Sequence, residues 1–486
     1  MKKDLFIVTI SLLTLTQALA QTNVSGGIYS NTTWTLANSP YILTDTVVVF
    51  PGVTLTIQPG VTVKFNSGVQ LEIRQGRIFA TGTNADSITF TSNTSLSPGS
   101  WNEIILNGGT MTSKFSYCNF RYASTAINDE RANVEDTLII QNSNFSFNDI
   151  GINGQGTGYG IIDSCNFKHN TSTGAVNIFY SVFNYCTFLY NSTGIVSQFC
   201  IINNCILNYN GYGFGGYKAN QLNSCTINYN QTGISCQRGC SVNNCNVSHN
   251  QYGIVTGNSI HDDGAKVKNT IIDSNAVEGI SINNSGDSIF NNQIKYNGIG
   301  MIYNMGGHGW PNIITKNNIE NNSTGLQFSI SENFYCNKIC NNASYDLEYT
   351  GSNNLDISNN YWCTTDSTSM EAKIFDGYDN INLGLVKFMP MDVSQCYLAT
   401  GIQIYEVPIF SFTISPNPAT DNLTIKLPAN ISKSEIKIYN MLGELEYTST
   451  ETKQKTDIDV SGLTTGLHII QIATGDKICR QKFIKK

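Results

Sequence analysis

The 486-residue sequence has little charge and no basic excess, and both shortages exclude classes of protein. Charged residues make up only 13% of the chain. A disordered chain would be rich in charge and poor in large apolar residues, whereas this one carries 24 Tyr and 23 Phe, enough for a large core. The formal net charge of −7 leaves no basic surface for phosphate, so nucleic acid is not an expected partner.

The N-terminus has the three parts of a secretory signal. Met1-Lys2-Lys3 is the positive region, residues 5–15 are apolar, and Ala18-Leu19-Ala20 is a small-x-small cleavage site. The apolar run is too short for the roughly 20 residues that span a membrane, and no long apolar run occurs later. The sequence therefore predicts a signal peptide over residues 1–20 and export.

The central chain is built from a short repeat. A Cys, an alternating apolar residue and an Asn recur in hexapeptides, and a Gly follows each Asn. The hexapeptides are residues 165–170, 186–191, 205–210, 225–230 and 245–250. The glycines are Gly151, Gly174, Gly194, Gly213, Gly233, Gly253, Gly279, Gly300 and Gly325, at spacings of 19 to 26 residues.

Units this short cannot bury their own apolar faces, so successive units must stack. Asn and Gly tolerate the left-handed backbone of a tight corner between strands. The pattern resembles right-handed parallel β-helix proteins with an inward Asn ladder; a leucine-rich repeat is the alternative, but its Leu consensus is missing. Residues 52–65 resemble the opening coils of β-helix proteins, and residues 359–362 resemble their closing segment. The predicted class is all-β, with the helix and its caps over residues 21–396.

The last 76 residues have a different character. Residues 411–486 contain 10 Lys and Arg against 8 Asp and Glu, a local net charge of +2. Strands alternate with period two at residues 423–427, 436–439 and 469–472, which predicts a small β-sandwich over residues 412–486. A linker is expected over residues 397–411.

Three motifs in this tail resemble the type IX secretion sorting domain of Bacteroidetes. They are Pro416-Asn417-Pro418, the run from Asn440 to Glu444 and the run from Leu463 to Leu467. The resemblance implies that secretion machinery reads this domain during passage across the outer membrane. The body would then be secreted or attached to the cell surface.

Eleven of the 14 cysteines are candidates for packing, zinc binding or disulfides. Five share one repeat position and are predicted to form an inward, packed column: Cys165, Cys186, Cys205, Cys225 and Cys245. Cys236 with Cys240, and Cys336 with Cys340, lack nearby His, so zinc is not expected. Cys363 and Cys396 are candidates for a disulfide in the closing cap, which the sequence leaves undecided.

One angular position of the repeat collects acids and a histidine. Counted from the repeat glycines, the predicted catalytic row is Asp262, Asp263, Asp287, His308 and Glu332. Adjacent coils would place two carboxylates about 5 Å apart and alternate coils about 10 Å apart. At about 5 Å, two carboxylates could share a proton or bind a divalent cation, and calcium is the possible cofactor. At about 10 Å, they could act as the acid and base of an inverting glycosidase. His308 could act as acid or base. The alternative is that loops of a β-helix collect polar residues by default.

Two of these segments are similar to polygalacturonase motifs. Asp262-Asp263 and Gly307-His308-Gly309 look like that family's acid/base aspartates and nearby histidine. The family's Asn-Thr-Asp and Arg-x-Lys motifs are absent, and the two present motifs lie two coils apart rather than one. We interpret the likeness as convergence on a groove rather than membership.

Two further sets are predicted to bind substrate. Lys218 and Arg238 each lie five residues after a repeat glycine. A ring precedes the ladder Asn in many coils: Phe147, His169, Tyr190, Tyr209, Tyr229, His249 and Tyr296. If these rings face outward, sugars could stack on Tyr190, Tyr209 and Tyr229, but inward or corner packing is favoured because rings bury large areas.

The combined interpretation is an exported, monomeric surface protein that engages extracellular polysaccharide, with cleavage left open. The alternative is a non-catalytic adhesin or structural surface protein.

Overall fold

The computed structural model describes residues 21–108, 112–131, 137–155, 158–257, 264–283, 285–303, 311–329, 333–391, 412–427, 434–440, 445–474 and 477–486. The chain divides into two compact units, residues 1–400 and 401–486.

The first unit is a parallel β-helix of about 14 coils, as predicted, and its described strands form three faces. Face 1 comprises Thr32–Trp34, Thr54–Ile57, Arg77–Thr81, Ser113–Ser116, Thr137–Gln141, Tyr159–Asp163, Val182–Asn184, Ile201–Asn203, Gln221–Asn223, Ser241–Asn243, Lys266–Lys268, Ser288–Phe290, Ile313–Thr315 and Asn333–Tyr335. Face 2 comprises Thr62–Phe65, Ile88–Ser92, Cys118–Arg121, Asn144–Ser146, Asn166–Lys168, Thr187–Leu189, Ile206–Asn208, Thr226–Asn228, Asn246–Ser248, Ile271–Asp273, Gln293–Lys295, Asn318–Glu320 and Lys338–Cys340.

Face 3 follows face 2 in every coil. It comprises Leu71–Arg74, Trp101–Asn107, Ala123–Asp129, Ile150–Asn153, Thr173–Phe179, Thr193–Gln198, Tyr212–Lys218, Thr232–Arg238, Tyr252–Thr256, Glu278–Ile282, Ile299–Tyr303, Thr324–Phe328, Leu347–Tyr349 and Ile374–Phe375. Thr22–Ile28 and Tyr41–Val49 pair in parallel and open the helix across faces 2 and 3.

Single residues with left-handed backbone turn the chain from one face to the next. Between faces 1 and 2 the turning residue is, for example, Tyr185 at φ 54°, and between faces 2 and 3 it is Tyr209 at φ 57°. The side chain that follows each turn points inward. One-residue turns of this kind keep the three faces in register from coil to coil.

Stacked columns fill the interior. The rings of Phe120, Phe145, Phe167 and Phe188 stack with centroids 4.5–4.7 Å apart. The Asn residues after the corner between faces 2 and 3 form the predicted inward ladder: Asn148, Asn170, Asn191, Asn210, Asn230, Asn250, Asn275, Asn297, Asn322 and Asn342. Each accepts or donates hydrogen bonds across the coils, which satisfies backbone N–H groups that the turn leaves unpaired.

The predicted cysteine column is present and reduced. Cys165, Cys186, Cys205, Cys225 and Cys245 are all buried and free. Burial raises the pKa of the Cys186 and Cys205 thiols well above the usual range, so they are held protonated. These cysteines pack as small apolar residues that also donate weak hydrogen bonds to backbone carbonyls.

Other cysteines form disulfides. Cys236 is bonded to Cys240, and Cys340 to Cys363. The pairing considered for Cys363 with Cys396 is therefore wrong. The structure puts Cys340 beside Cys363 because Lys338, two residues before Cys340, bridges to Tyr361 in the closing segment.

The closing cap contains the helix Ser367–Glu371 and the paired strands Leu355–Asp356 and Val386–Lys387; a 3-10 turn, Leu36–Asn38, lies near the opening. Asp366 caps the helix by accepting from the backbone N–H groups of Thr368 and Ser369. In the described part of the chain, no helix is long and apolar enough to cross a membrane.

The second unit consists of two antiparallel sheets. The first contains Thr413–Ser415, Asn422–Lys426 and Lys455–Asp459; the second contains Ser434–Tyr439, Leu445–Glu451, Gly466–Thr474 and Lys477–Lys485. Leu423 and Ile458 of the first sheet and Ile436 and Ile470 of the second belong to one apolar core. The predicted small β-sandwich is confirmed.

Candidate functional site

Most of the predicted catalytic row lies outside the described residues. This holds for Asp262, Asp263, His308 and Glu332. In the chain, these residues follow the face 3 strands that end at Thr256, Tyr303 and Phe328, and those strands stack along one face through intervening coils. A catalytic role for them stays a prediction.

Asp287 is described, and it does not face outward as predicted. Its side chain is fully buried, and its Oδ1 accepts from the backbone N–H of Ala265 at 2.7 Å. Asn220 and Asn312 occupy the same place in their coils, directly before a face 1 strand, and accept from the preceding coil in the same way. Counting from the repeat glycine missed this because longer coils shift the position at which the chain turns inward.

The two predicted cations lie side by side. Lys218 and Arg238 are direct partners on adjacent strands of face 3, at the edge that leads to face 1. The Lys218 ammonium lies 5.6 Å from the ring centroid of Phe199, a cation–π contact, and Phe199 stacks on Tyr180 at 5.0 Å. This edge of face 3 therefore carries two rings followed by two cations on four successive coils.

The predicted aromatic column forms a surface ladder on the corner between faces 2 and 3. The exposed fractions of Tyr190, Tyr209 and Tyr229 are 51%, 45% and 48%. Centroids of successive rings from Phe147 through His169 to Tyr229 lie 4.9–5.3 Å apart. The structure shows the outward orientation, the alternative that the sequence did not favour, and the favoured inward packing is wrong.

The stacking determines what this ladder can contact. Tyr190 and Tyr209 are tilted by 15° and Tyr209 and Tyr229 by 4°, so each ring covers the face of the next. Only ring edges and phenol hydroxyls are open to a ligand within the ladder. A sugar therefore cannot stack flat on these rings, but it could contact their edges.

A shallow groove of about 540 Å³ runs beside the ladder. Its lining combines ring edges with small hydroxyl side chains: His169, Asn170, Thr171, Tyr190, Asn191, Ser192 and Tyr209. Hydroxyl and amide groups next to ring edges suit a polar, hydroxyl-rich ligand.

Sequence reasoning missed two open tyrosines on face 3. Tyr212 is 48% exposed, and its strand partners in the neighbouring coils are Thr193 and Thr232 rather than rings. Tyr217 is 47% exposed and lies at a bulge, between Gly216, which pairs with Ser197, and Lys218. The small side chains of Thr193 and Thr232 therefore flank Tyr212. For Tyr212, the signal was an aromatic residue where the neighbouring repeats carry Thr.

Family comparisons match part of the first unit and most of the second. Residues 26–156 match the pectate-lyase-like beta helix domain, and residues 413–486 match the secretion system C-terminal sorting domain. The chain therefore combines a pectate-lyase-like β-helix domain with a C-terminal sorting domain, which confirms both resemblances. The sorting domain indicates secretion to the outer surface.

Individual relatives are distant. An ulvan lyase of Nonlabens ulvanivorans is 32% identical over 88 residues, which is 18% of this chain and 16% of that protein. The chain thus matches about a sixth of that relative's length. A periplasmic alginate epimerase is 11% identical, with a TM-score of 0.29 over 74% of this chain and 84% of its own. An alginate lyase from a Paenibacillus species is 12% identical, with a TM-score of 0.21 over 70% of this chain and 93% of its own.

Proposed function

We propose that this exported β-helix binds an extracellular polysaccharide along face 3. The observation that carries the proposal is the grouping of Tyr212, Tyr217, Lys218 and Arg238 on two adjacent strands. Both rings are about half exposed, and Lys218, which directly follows Tyr217, pairs with Arg238 on the next strand. Rings with open faces bind sugar rings, and paired cations bind carboxylate or sulfate groups.

The direction of the ligand follows from the coil spacing. Equivalent side chains on successive coils lie about 4.8 Å apart, close to the length of one pyranose unit. A polysaccharide that runs along the helix axis would therefore present one unit to each coil. The lyase and epimerase relatives act, by their names, on ulvan and alginate, which makes these two polysaccharides the first ligands to test.

The test is affinity electrophoresis of the whole secreted protein in gels containing alginate, ulvan or neutral dextran. We expect retardation in at least one anionic gel and a loss of about tenfold in affinity for the double variant Lys218→Ala/Arg238→Ala. The matched control is Lys266→Ala/Lys268→Ala, which removes two cations from face 1. If the two double variants reduced retardation equally, the binding would be nonspecific attraction between opposite charges. No retardation of the wild type in any gel would sink the proposal.

A non-catalytic adhesin is the second candidate, and one observation favours it. Asp287, the described residue of the predicted catalytic row, is fully buried and packs inside the coil instead of facing a ligand. The same polysaccharides therefore need to be assayed for new reducing ends or unsaturated products. Binding without product, with Asp263→Asn and His308→Ala unchanged in affinity, would favour adhesion.

A further inference from the structure

The groove beside the outer rings lies apart from the cation pair on face 3. It belongs to the corner where the strands of face 3 begin, whereas Lys218 and Arg238 lie where those strands end. A seven-residue strand such as Tyr212–Lys218 is roughly 20 Å long. The groove can therefore hold a ligand that does not touch the cation pair.

The groove occurs where the residue after the inner-ladder Asn is small. In three successive coils that residue is Thr171, Ser192 or Gly211, and the pairing of the face 3 strands shows that these positions correspond. In the coil before them the corresponding residue is Asp149, and in the coil after them it is Gln231. The lining of the groove ends at these two coils. Larger side chains therefore bound an opening that is three coils long.

The wall of the groove repeats at the spacing of the coils. The ring centroids of His169 and Tyr190 lie 5.0 Å apart, and those of Tyr190 and Tyr209 lie 5.1 Å apart. The volume of about 540 Å³ falls within the roughly 300–1,000 Å³ of small-molecule sites. Because the stacked rings offer only their edges, an extended chain that runs along the helix axis would meet one ring edge per sugar unit.

The polar groups that the groove leaves open are hydroxyls. The amides on its floor use their N–H groups inside the coil: Asn191 Nδ2 donates to the Phe167 carbonyl and to the next ladder amide, at 3.0 and 3.1 Å. By contrast, the phenols of Tyr190 and Tyr209 and the hydroxyl of Ser192 have no hydrogen-bond partner among the described residues. A hydroxyl both donates and accepts, as a sugar hydroxyl does, so the groove matches an uncharged sugar.

Charge at the groove disfavours an anionic ligand. None of the seven lining residues is a Lys or an Arg. At one end, Asp149 Oδ1 accepts from Thr171 Oγ1 at 2.6 Å, which holds a carboxyl group beside the lining. The nearest cation along the chain, Lys168, belongs to the face 2 strand that ends before the ring of His169. A carboxylate repels an anionic chain but accepts hydrogen bonds from the hydroxyls of a neutral one.

We infer that this groove is a second glycan-binding site, which takes an extended, neutral polysaccharide and contacts three of its sugar units. One unit lies against each of the rings His169, Tyr190 and Tyr209, and the open hydroxyls bind the hydroxyls of the chain. The inference goes beyond the proposed function, because both the surface and the charge of the ligand differ. With both sites, one molecule joins an uncharged glycan to an anionic one.

The experiment is affinity electrophoresis of the whole secreted protein in gels containing glucomannan, an extended neutral chain, or dextran, a flexible neutral chain. We expect retardation by glucomannan and none by dextran. Ser192→Gln fills the groove with the side chain that the repeat already carries at Gln231, and it should weaken retardation at least tenfold. The matched control is Ser323→Gln. Ser323 belongs to the same tetrapeptide, Asn-Ser-Thr-Gly, in a coil whose corner residue is Asn321 rather than a ring, so retardation should not change.

A second variant tests the hydroxyls without disturbing the fold. Tyr190→Phe/Tyr209→Phe removes two phenol groups and keeps both stacked rings, so we expect an unchanged melting temperature and a loss of about tenfold in affinity for glucomannan. Tyr185→Phe, which removes an exposed phenol from the corner between faces 1 and 2, should leave the affinity unchanged. If Ser192→Gln lowers the melting temperature, the phenol variant decides.

The outcomes separate the two binding sites. No retardation by glucomannan, equal retardation by dextran, or equal weakening by Ser192→Gln and Ser323→Gln overturns the groove as a site for an extended neutral chain. Unchanged affinity of Tyr190→Phe/Tyr209→Phe does the same. Lys218→Ala/Arg238→Ala should leave retardation by glucomannan intact, so a failure of the cation pair on face 3 is observed independently of a failure of the groove.

Discussion

Two ladders run side by side along the corner between faces 2 and 3, and they differ in almost every physical respect. Tyr209 belongs to the outer ladder and is 45% exposed, whereas the next residue, Asn210, belongs to the inner ladder and is 4% exposed. Asn210 Oδ1 accepts from the backbone N–H of Asn191 at 3.0 Å, and its nitrogen donates to the Phe188 carbonyl at 3.1 Å. Tyr209 makes stacking contacts with its two neighbouring rings.

The difference shows that periodicity and importance for stability are separate properties. The two ladders occupy adjacent positions of the repeat, and both are visible in the sequence. A buried amide bonds backbone groups that water cannot reach, so its loss removes a hydrogen bond that solvent does not replace. An exposed ring can be replaced by solvent at little cost. The inner ladder therefore maintains the coil, while the outer ladder is free to vary with function.

Removing a rung of the inner ladder should have the largest effect. Asn210→Ala leaves the Asn191 N–H and the Phe188 carbonyl without their side-chain partner, so we expect a loss of about 2–4 kcal/mol in unfolding free energy. Urea unfolding followed by circular dichroism measures it, and amide hydrogen exchange should show faster exchange at Asn191.

The control for this rung is Gln231→Ala. Gln231 is an exposed amide residue in the next coil, and its removal should change stability by no more than about 0.5 kcal/mol. Equal effects of the two substitutions would show that the inner ladder is not what maintains the coil.

An ion network on face 2 tests whether an outward-facing column can stabilise the coil when it carries charge. Glu320 bonds Lys295 at 2.7 Å and Lys338 at 2.5 Å, on the coils before and after it. Burial alone would raise the pKa of Glu320, but the two lysines bring it down to about 2. A lowered pKa stabilises the fold above the unfolded value of about 4.5, and the gain is lost as pH falls through about 2.

Glu320→Gln should therefore cost about 1–2 kcal/mol at pH 7 after allowance for solvent screening, and the cost should shrink as pH falls from about 4.5 to 2. Thermal unfolding across this pH range measures it. Glu348→Gln on face 3 has no ion pair within the described residues and serves as the control. A cost that stays constant with pH would mean that packing, not charge, stabilises this network.

The repeat explains which features the sequence could predict. The cysteine column, the inner Asn ladder and the ring positions all recur within regular coils of about 20 residues, so each predicted register could be read directly. Stacking then fixes their contacts, because equivalent residues lie on adjacent strands. The fold followed from these columns alone.

Features outside the regular repeat could not be predicted in the same way. Asp287 follows a coil with a longer segment, so its distance from the repeat glycine did not reveal that it points inward. The partner of Cys363 depends on how the closing cap folds back, which local spacing does not encode.

The smallest effect is expected for the outer ladder, and the chain supplies a closely matched control. Tyr209→Ala and Tyr185→Ala each remove an exposed ring from a residue with left-handed backbone, at φ 57° and 54°. The backbone cost of alanine is therefore the same in both. Tyr209 stacks between two rings, whereas Tyr185 is 64% exposed and has Ser164 and Asn204 at the equivalent turns. Stacked pairs contribute about 0.5–1.5 kcal/mol, so Tyr209→Ala should cost about 0.5–1 kcal/mol more than Tyr185→Ala in urea unfolding. An equal cost would mean that the outer ladder contributes nothing to stability, and its regularity would then have to be explained by ligand contacts along the ring edges.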